Sequence, residues 1–296
     1  MVRIPQLAQV FSVLAGAVAL AASAALNPAA AGADATTVPT FDHIVMVMFE
    51  NKGYDAVIGS TDAPYFNKLA DNGALFTDSH AITHPSQPNY IALFSGDTQG
   101  VTSDSCPHNF KGVDNLGNQL GKAGLRFIGY SEDMPNAGYT GCSGSGGSYR
   151  RKHNGWVNFD NVAATSNVPY SAFPSDYAQL PTVSFVSPNM CNDIHDCPVA
   201  TGDGWLNQNL SGYAEWAKAN NSLLVVTFDE DEGTGVNRIP TIFYGAGVNP
   251  GRYNERIDHY SVLRTFENAY GLPPLANAAN ATPITDVWRT AAGAPR

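Results

Sequence analysis

Ser86 lies between two prolines in the run Thr83-His84-Pro85-Ser86-Gln87-Pro88-Asn89-Tyr90. Two apolar runs elsewhere stop abruptly in acids: Phe41 to Phe49 at Glu50-Asn51, and Ser222 to Phe228 at Asp229-Glu230-Asp231-Glu232. A serine hydroxyl is a poor nucleophile at neutral pH and needs a base or a metal ion to favour its alkoxide. Ser86 lacks the Gly-x-Ser-x-Gly surroundings of a nucleophile elbow, so metal activation is the better reading. One acid after a strand is ordinary turn composition. Here a third polar strand end, Asn189 through His195, joins the other two, and His259 stands apart with them. If these strands are neighbours, their ends gather carboxylates, an amide, a hydroxyl and imidazoles in one cleft. Oxygen-rich ligand sets suit hard or borderline divalent cations, and histidine moves the preference toward zinc or iron. Ser86 also suits a helix N-cap, a role compatible with attack.

The elements that must position these groups alternate along the chain. Phe41 to Phe49 is too apolar for an edge and reads as a buried parallel strand. Further strands are expected at Leu125 to Tyr130, Thr182 to Val186, Ser222 to Phe228 and Ile239 to Tyr244. Helices are expected at Tyr65 to Asn72, from Tyr90 to Phe94, at Leu116 to Ala123, Trp205 to Ala219 and Ser261 to Tyr270, several of them stopped by glycine. This order predicts an α/β fold: a mostly parallel central sheet with helices on both faces, delivering polar groups from strand carboxyl ends. Other polar residues have structural readings. His43 sits inside a strand, His80 and His108 sit in loops, Asp203 caps the helix near Trp205, and Asp231 and Glu232 continue a turn.

Arg3, an alanine-rich apolar run from Val10 to Leu26 and the small residues Ala31-Gly32-Ala33 have the order of a secretory signal. Residues 1–33 are therefore expected to be a signal peptide, with 34–296 a single domain and the product secreted and extracellular, without a stable membrane anchor. An even count of four cysteines in an exported chain favours disulfides. Three pairings are open, of which Cys191–Cys197 with Cys106–Cys142 is favoured because the first pair would tie off a small polar loop. A net charge of −10 argues against nucleic acid as a partner. The dense basic cluster Arg150-Arg151-Lys152-His153 is then the local attractor for any anionic substrate, or else a solvated loop.

Together with Glu50-Asn51 and Thr83 to Tyr90, several further motifs carry a resemblance. They are Arg151-Lys152-His153, Asn192-Asp193-Ile194-His195-Asp196 with Gly202-Asp203-Gly204-Trp205-Leu206, Val226 to Asp231, Asp258-His259-Tyr260 and Pro283 to Trp288. From Pro39 to Trp288 the chain resembles the bacterial phosphoesterase family of secreted acid phosphatases and phospholipases C, within the alkaline-phosphatase-like superfamily. The resemblance implies that Glu50, Asn51, Asp229 and Glu230 hold one divalent cation of open identity beside Ser86, the phosphate acceptor. It makes His153, His195 and His259 contacts to phosphate or metal, and matches Asn89 to a phosphate-contacting asparagine. Asn89, Lys152, His153 and Asp193 are then substrate-binding residues, and His195 or His259 protonates the leaving group.

The implied reaction is hydrolysis of phosphate monoesters through a phosphoseryl intermediate, with a phosphoinositide lipid such as phosphatidylinositol 3-phosphate as a substrate. A phospholipase-C-type diesterase shares the same machinery, because leaving-group space is set by loops. A secreted protein that holds phosphate without turnover would explain the basic loop and the metal cleft, but not a hydroxyl among the ligands.

Overall fold

The computed structural model describes residues 37–289; the expected signal peptide lies outside them. Its strands are β1 (His43–Phe49), β2 (Ala74–His80), β3 (Phe127–Ser131), β4 (Asn167–Pro169), β5 (Val183–Ser187), β6 (Ser222–Phe228), β7 (Thr241–Gly245) and β8 (Gly251–Asp258). The α-helices are α1 (Tyr54–Val57), α2 (Pro64–Asn72), α3 (Ser86–Ser95), α4 (Leu116–Lys122), α5 (Val199–Ala219) and α6 (His259–Ala269). One eight-stranded sheet runs in the order β4-β3-β5-β1-β6-β7-β2-β8. All pairings are parallel except those of β7, which runs against both β6 and β2.

β1 and β6 are buried on both sides because side chains alternate across a strand and each face has its own helical cover. Ile44, Met46 and Met48 enter a core with residues of α3, α4 and α6. Val45, Val47 and Phe49 enter a second core with residues of α1, α2 and α5. β1 pairs with β6 in register from His43–Ser222 to Phe49–Phe228. Glu50 and Asp229 therefore leave the sheet side by side, a position locked by Asp229 N–H donating to Phe49 O at 2.9 Å. The three polar strand ends are indeed neighbours, since β5, β1 and β6 are adjacent.

Five elements differ from expectation. β2, β4 and β8 carry no long apolar run, and β8 alternates between partly and fully exposed along most of its length as a sheet edge. α3 begins at Ser86, four residues before the expected helix. Pro85 is its N-cap and Ser86 its first helical residue, so Ser86 is not the cap. α5 begins at Val199, which places Asp203 inside it. The Asp203 carboxylate instead accepts from Tyr65 N–H and Phe66 N–H, both at 2.8 Å, capping α2 across the face.

Candidate active site

The backbone of Asn51 turns into the left-handed region, φ 53°, immediately after β1. That turn lets Asn51 N–H donate to Asp229 Oδ1 at 2.9 Å, while its amide nitrogen donates to Glu50 Oε2 at 3.0 Å. With its nitrogen so used, Oδ1 is the atom Asn51 has to offer a cation. α3 delivers Ser86, 2% exposed, onto the same spot. Its hydroxyl lies 3.0 Å from Glu50 Oε2 and 3.2 Å from Glu230 Oε1. A single hydroxyl proton cannot satisfy two carboxylates at once.

Glu50, Asp229 and Glu230 are all buried, with Asp193 beside them. Burial raises the Glu50 carboxyl well above the usual range, and the charges of Asp229 and Asp193 raise it further. Burial, with Glu230 alongside, lifts Asp229 to about 7, and burial also lifts Glu230. Asp229 Oδ2 is buried without a hydrogen-bond partner. Crowded, desolvated carboxylates beside an orphaned oxygen are what a bound cation would resolve. The all-oxygen set of Glu50, Asn51, Ser86, Asp229 and Glu230 fits a divalent cation. A second group able to hold a metal shares Glu50: its donor atoms, with those of His153 and His195, lie within 4.8 Å of one another.

The opposite wall comes from the basic loop. Gly155 lets that loop approach α3 closely, because a Cβ there would lie 2.5 Å from Tyr90 O. His153 consequently stacks on Tyr90, centroids 5.3 Å apart and planes 14° apart. Its Nδ1 faces Asp193 Oδ2 at 3.0 Å, and its Nε2 lies 3.0 Å from Glu50 Oε1 without the alignment of a hydrogen bond. Burial, reinforced by Lys152 and His195, pushes His153 well below the ordinary histidine range. Lys152 Nζ sits 3.4 Å from His195 Nε2, and His195 Nδ1 is 2.8 Å from Asp196 Oδ1.

Three of the expected residues make contacts within the protein. Asn89 spends its whole amide on backbone: Oδ1 accepts from Ile82 and Thr83 N–H, and Nδ2 donates to Thr83 and Pro85 carbonyls. It holds the Ser86 loop and has no donor left for phosphate. Asp193, lifted to about 8 by burial, accepts from His195 N–H and orients His153. His259, the first residue of α6, directs Nε2 to the Asp229 carbonyl at 2.9 Å and so buttresses a strand end; burial lowers its pKa.

Three further neighbours complete the site. Tyr90 donates to Glu50 Oε1 at 2.7 Å, and its place four residues after Ser86 on a helix was a readable signal. His84 Nδ1 approaches Glu230 Oε2 to 2.5 Å. Asp104 accepts from Lys152 Nζ at 2.7 Å and from Gln87 N–H at 2.9 Å, and nothing local in the sequence marked it. The expected disulfides Cys106–Cys142 and Cys191–Cys197 both form, and they tie down the loops that carry Asp104, Lys152 and His195.

The fold is alkaline-phosphatase-like. Solved structures share this fold. One is an alkaline phosphatase superfamily protein from Vibrio parahaemolyticus, with TM-score 0.57, 12% identity, and coverage of 83% of this chain and 71% of that one. Another is the lipoteichoic acid synthase from Listeria monocytogenes, with TM-score 0.58, 12% identity, and coverage of 87% and 79%. The chain belongs to the phosphoesterase family, whose model matches residues 60–273. It is 56% identical to a phosphatidylinositol-3-phosphatase of Mycobacterium tuberculosis over 87% of this chain and 86% of the relative. It is also 33% identical to a probable acid phosphatase of Kluyveromyces lactis, over 83% of this chain and 65% of that longer protein. Among the described residues no helix is long and apolar enough to cross a membrane.

Proposed function

We propose that this chain is a secreted phosphoric monoester hydrolase in which Ser86 accepts the phosphoryl group. The observation that carries the reading is the buried Ser86 hydroxyl, set on the first turn of a helix against Glu50 and Glu230, with Lys152 and His195 on the facing loops. Glu50, Asn51, Asp229 and Glu230 would hold one divalent cation, which when bound supplies positive charge that favours the serine alkoxide and a phosphoryl oxygen. Ser86 Oγ forms the bond to phosphorus as the bond to the leaving oxygen breaks. Its proton passes to a carboxylate it already faces. Charge on the equatorial oxygens meets the ammonium of Lys152 and the His195 imidazole. His195, partly exposed and reaching the site through Lys152, protonates the leaving alkoxide. Water then cleaves the phosphoseryl ester with the same groups acting in reverse.

The printed names of the relatives support monoesters as the substrate class and a phosphoinositide among them. Phosphate release from an aryl phosphate and from phosphatidylinositol 3-phosphate vesicles tests the reading. Ser86→Ala should lower the rate by at least about a thousandfold on both, in line with loss of other catalytic nucleophiles. An unimpaired variant would remove Ser86 from the reaction.

A further inference from the structure

The strongest donors near Ser86 are already engaged by an anion of the protein itself. Gln87 N–H, on the first turn of α3 and directly after the serine, donates to Asp104 Oδ1 at 2.9 Å. The ammonium of Lys152 donates to Asp104 Oδ2 at 2.7 Å. A helix N-terminus and a lysine beside a nucleophilic serine are what a phosphoryl group needs. Here a carboxylate bridges the two. Lys152 is also largely enclosed, with its side chain 15% exposed, so its charge is directed inward.

We infer that Asp104 is a specificity-determining residue that selects the charge state of the substrate phosphate, admitting the monoanion and opposing the dianion. A monoanionic phosphate carries a proton that it can donate to the Asp104 carboxylate, sharing Lys152 with it. A dianion brings no proton and must either displace the carboxylate from both donors or sit against its charge, at a cost that a partly enclosed site does not screen away. Other groups agree that the charge of Asp104 reaches into the site. After burial, its field helps raise Glu230, and it opposes the lowering of His153. Asp104 itself stays ionised. Burial pulls it up, but the hydrogen bonds from Lys152 and Gln87 hold it below the usual carboxylate range. The charged and titratable groups facing it are Lys152 and His153 on the basic loop, with His195 behind Lys152, and Glu230 after β6. The titration that matters is therefore that of the substrate. Phosphate esters lose their second proton at about pH 6, so this selection makes the enzyme prefer acidic conditions through the charge of its substrate.

This role rests on the phosphatase reading, and calorimetric binding of inorganic phosphate to the intact protein separates the two. Measured from about pH 5.5 to 8.5, wild-type affinity should fall at least about tenfold as phosphate passes from monoanion to dianion. Dimethyl phosphate, singly charged throughout, should show no such fall. Asp104→Asn keeps the acceptor for Gln87 N–H and removes the charge. It should abolish the fall, and for an aryl phosphate it should lower KM at the alkaline end with little change in kcat. Asp104→Glu should restore the wild-type profile, and Asp104→Ser repeats the test should the asparagine variant not fold. If the uncharged variant keeps the wild-type pH dependence, or loses affinity equally at every pH, Asp104 only positions Lys152 and the selection is overturned. Charge-selective phosphate binding without monoester hydrolysis would instead overturn the phosphatase reading and leave the selection standing.

Discussion

Ser86 draws its chemistry from residues that hold other residues still. Glu50 is gripped on Oε1 by Tyr90 and on Oε2 by Asn51 and Ser86. Its two oxygens are thereby assigned to opposite sides of the site, one toward His153 and one toward the serine. Partners that orient a ligand commonly set metal affinity as strongly as the ligand does. Tyr90→Phe keeps the stack on His153 and removes only the hydroxyl. Apparent cation affinity, read from the rise in melting temperature on titrating a chelated sample, is expected to drop about tenfold to a hundredfold. An unchanged affinity would show that Glu50 needs no such support. His84 does for Glu230 what Tyr90 does for Glu50. Its imidazole spans Glu230 and the Thr234 carbonyl, and although burial disfavours its charge, those two acceptors raise its pKa.

At the scale of elements, the site depends on close approach between the sheet and the basic loop. Gly129 in β3 faces Trp156, and a Cβ there would fall 2.1 Å from the indole, whose Nε1 donates to Asn167 Oδ1 at 2.9 Å. Trp156 is packed against Phe127 and Phe185 and cannot retreat. Gly129→Ala should therefore cost about 1–3 kcal/mol of stability by overpacking, measured by urea unfolding, and should loosen the loop that carries Lys152 and His153. The central strands were legible in the sequence because strands buried on both faces leave nearly continuous apolar runs, as from Ile44 to Phe49 and, broken only by Thr227, from Leu223 to Phe228. Glu50 and Asp229 were legible for the same reason, as acids that end such runs. β2 and β8 were not, because their pairing with one another leaves polar side chains outside and no periodic signal. Asp104 and the backbone contacts of Asn89 were hidden for a different reason. Both are defined by partners brought near through loop closure, and an asparagine that braces a turn reads in sequence like one that binds phosphate.

Across the whole molecule, acids are buried beyond the site as well. Glu267 of α6 accepts from Leu275 N–H at 2.7 Å, but its Oε2 has no hydrogen-bond partner, and burial lifts it to about 7. A carboxyl raised on folding contributes stability below its unfolded pKa and loses that contribution as pH rises through its folded value. Melting temperature should consequently fall between the usual carboxylate range and about 7. Glu267→Gln should flatten that part of the profile, by on the order of 2 kcal/mol after allowance for solvent screening. Parallel melts of both proteins at the two ends of the window check this, and identical profiles would refute it. The edge strand β8 acts at the same scale. Arg252, Asn254 and Arg256 alternate outward along it. Charged side chains along an open edge disfavour the addition of another strand. β8 therefore closes the ladder of apolar strands with a polar edge, where an apolar one would be a template for further pairing.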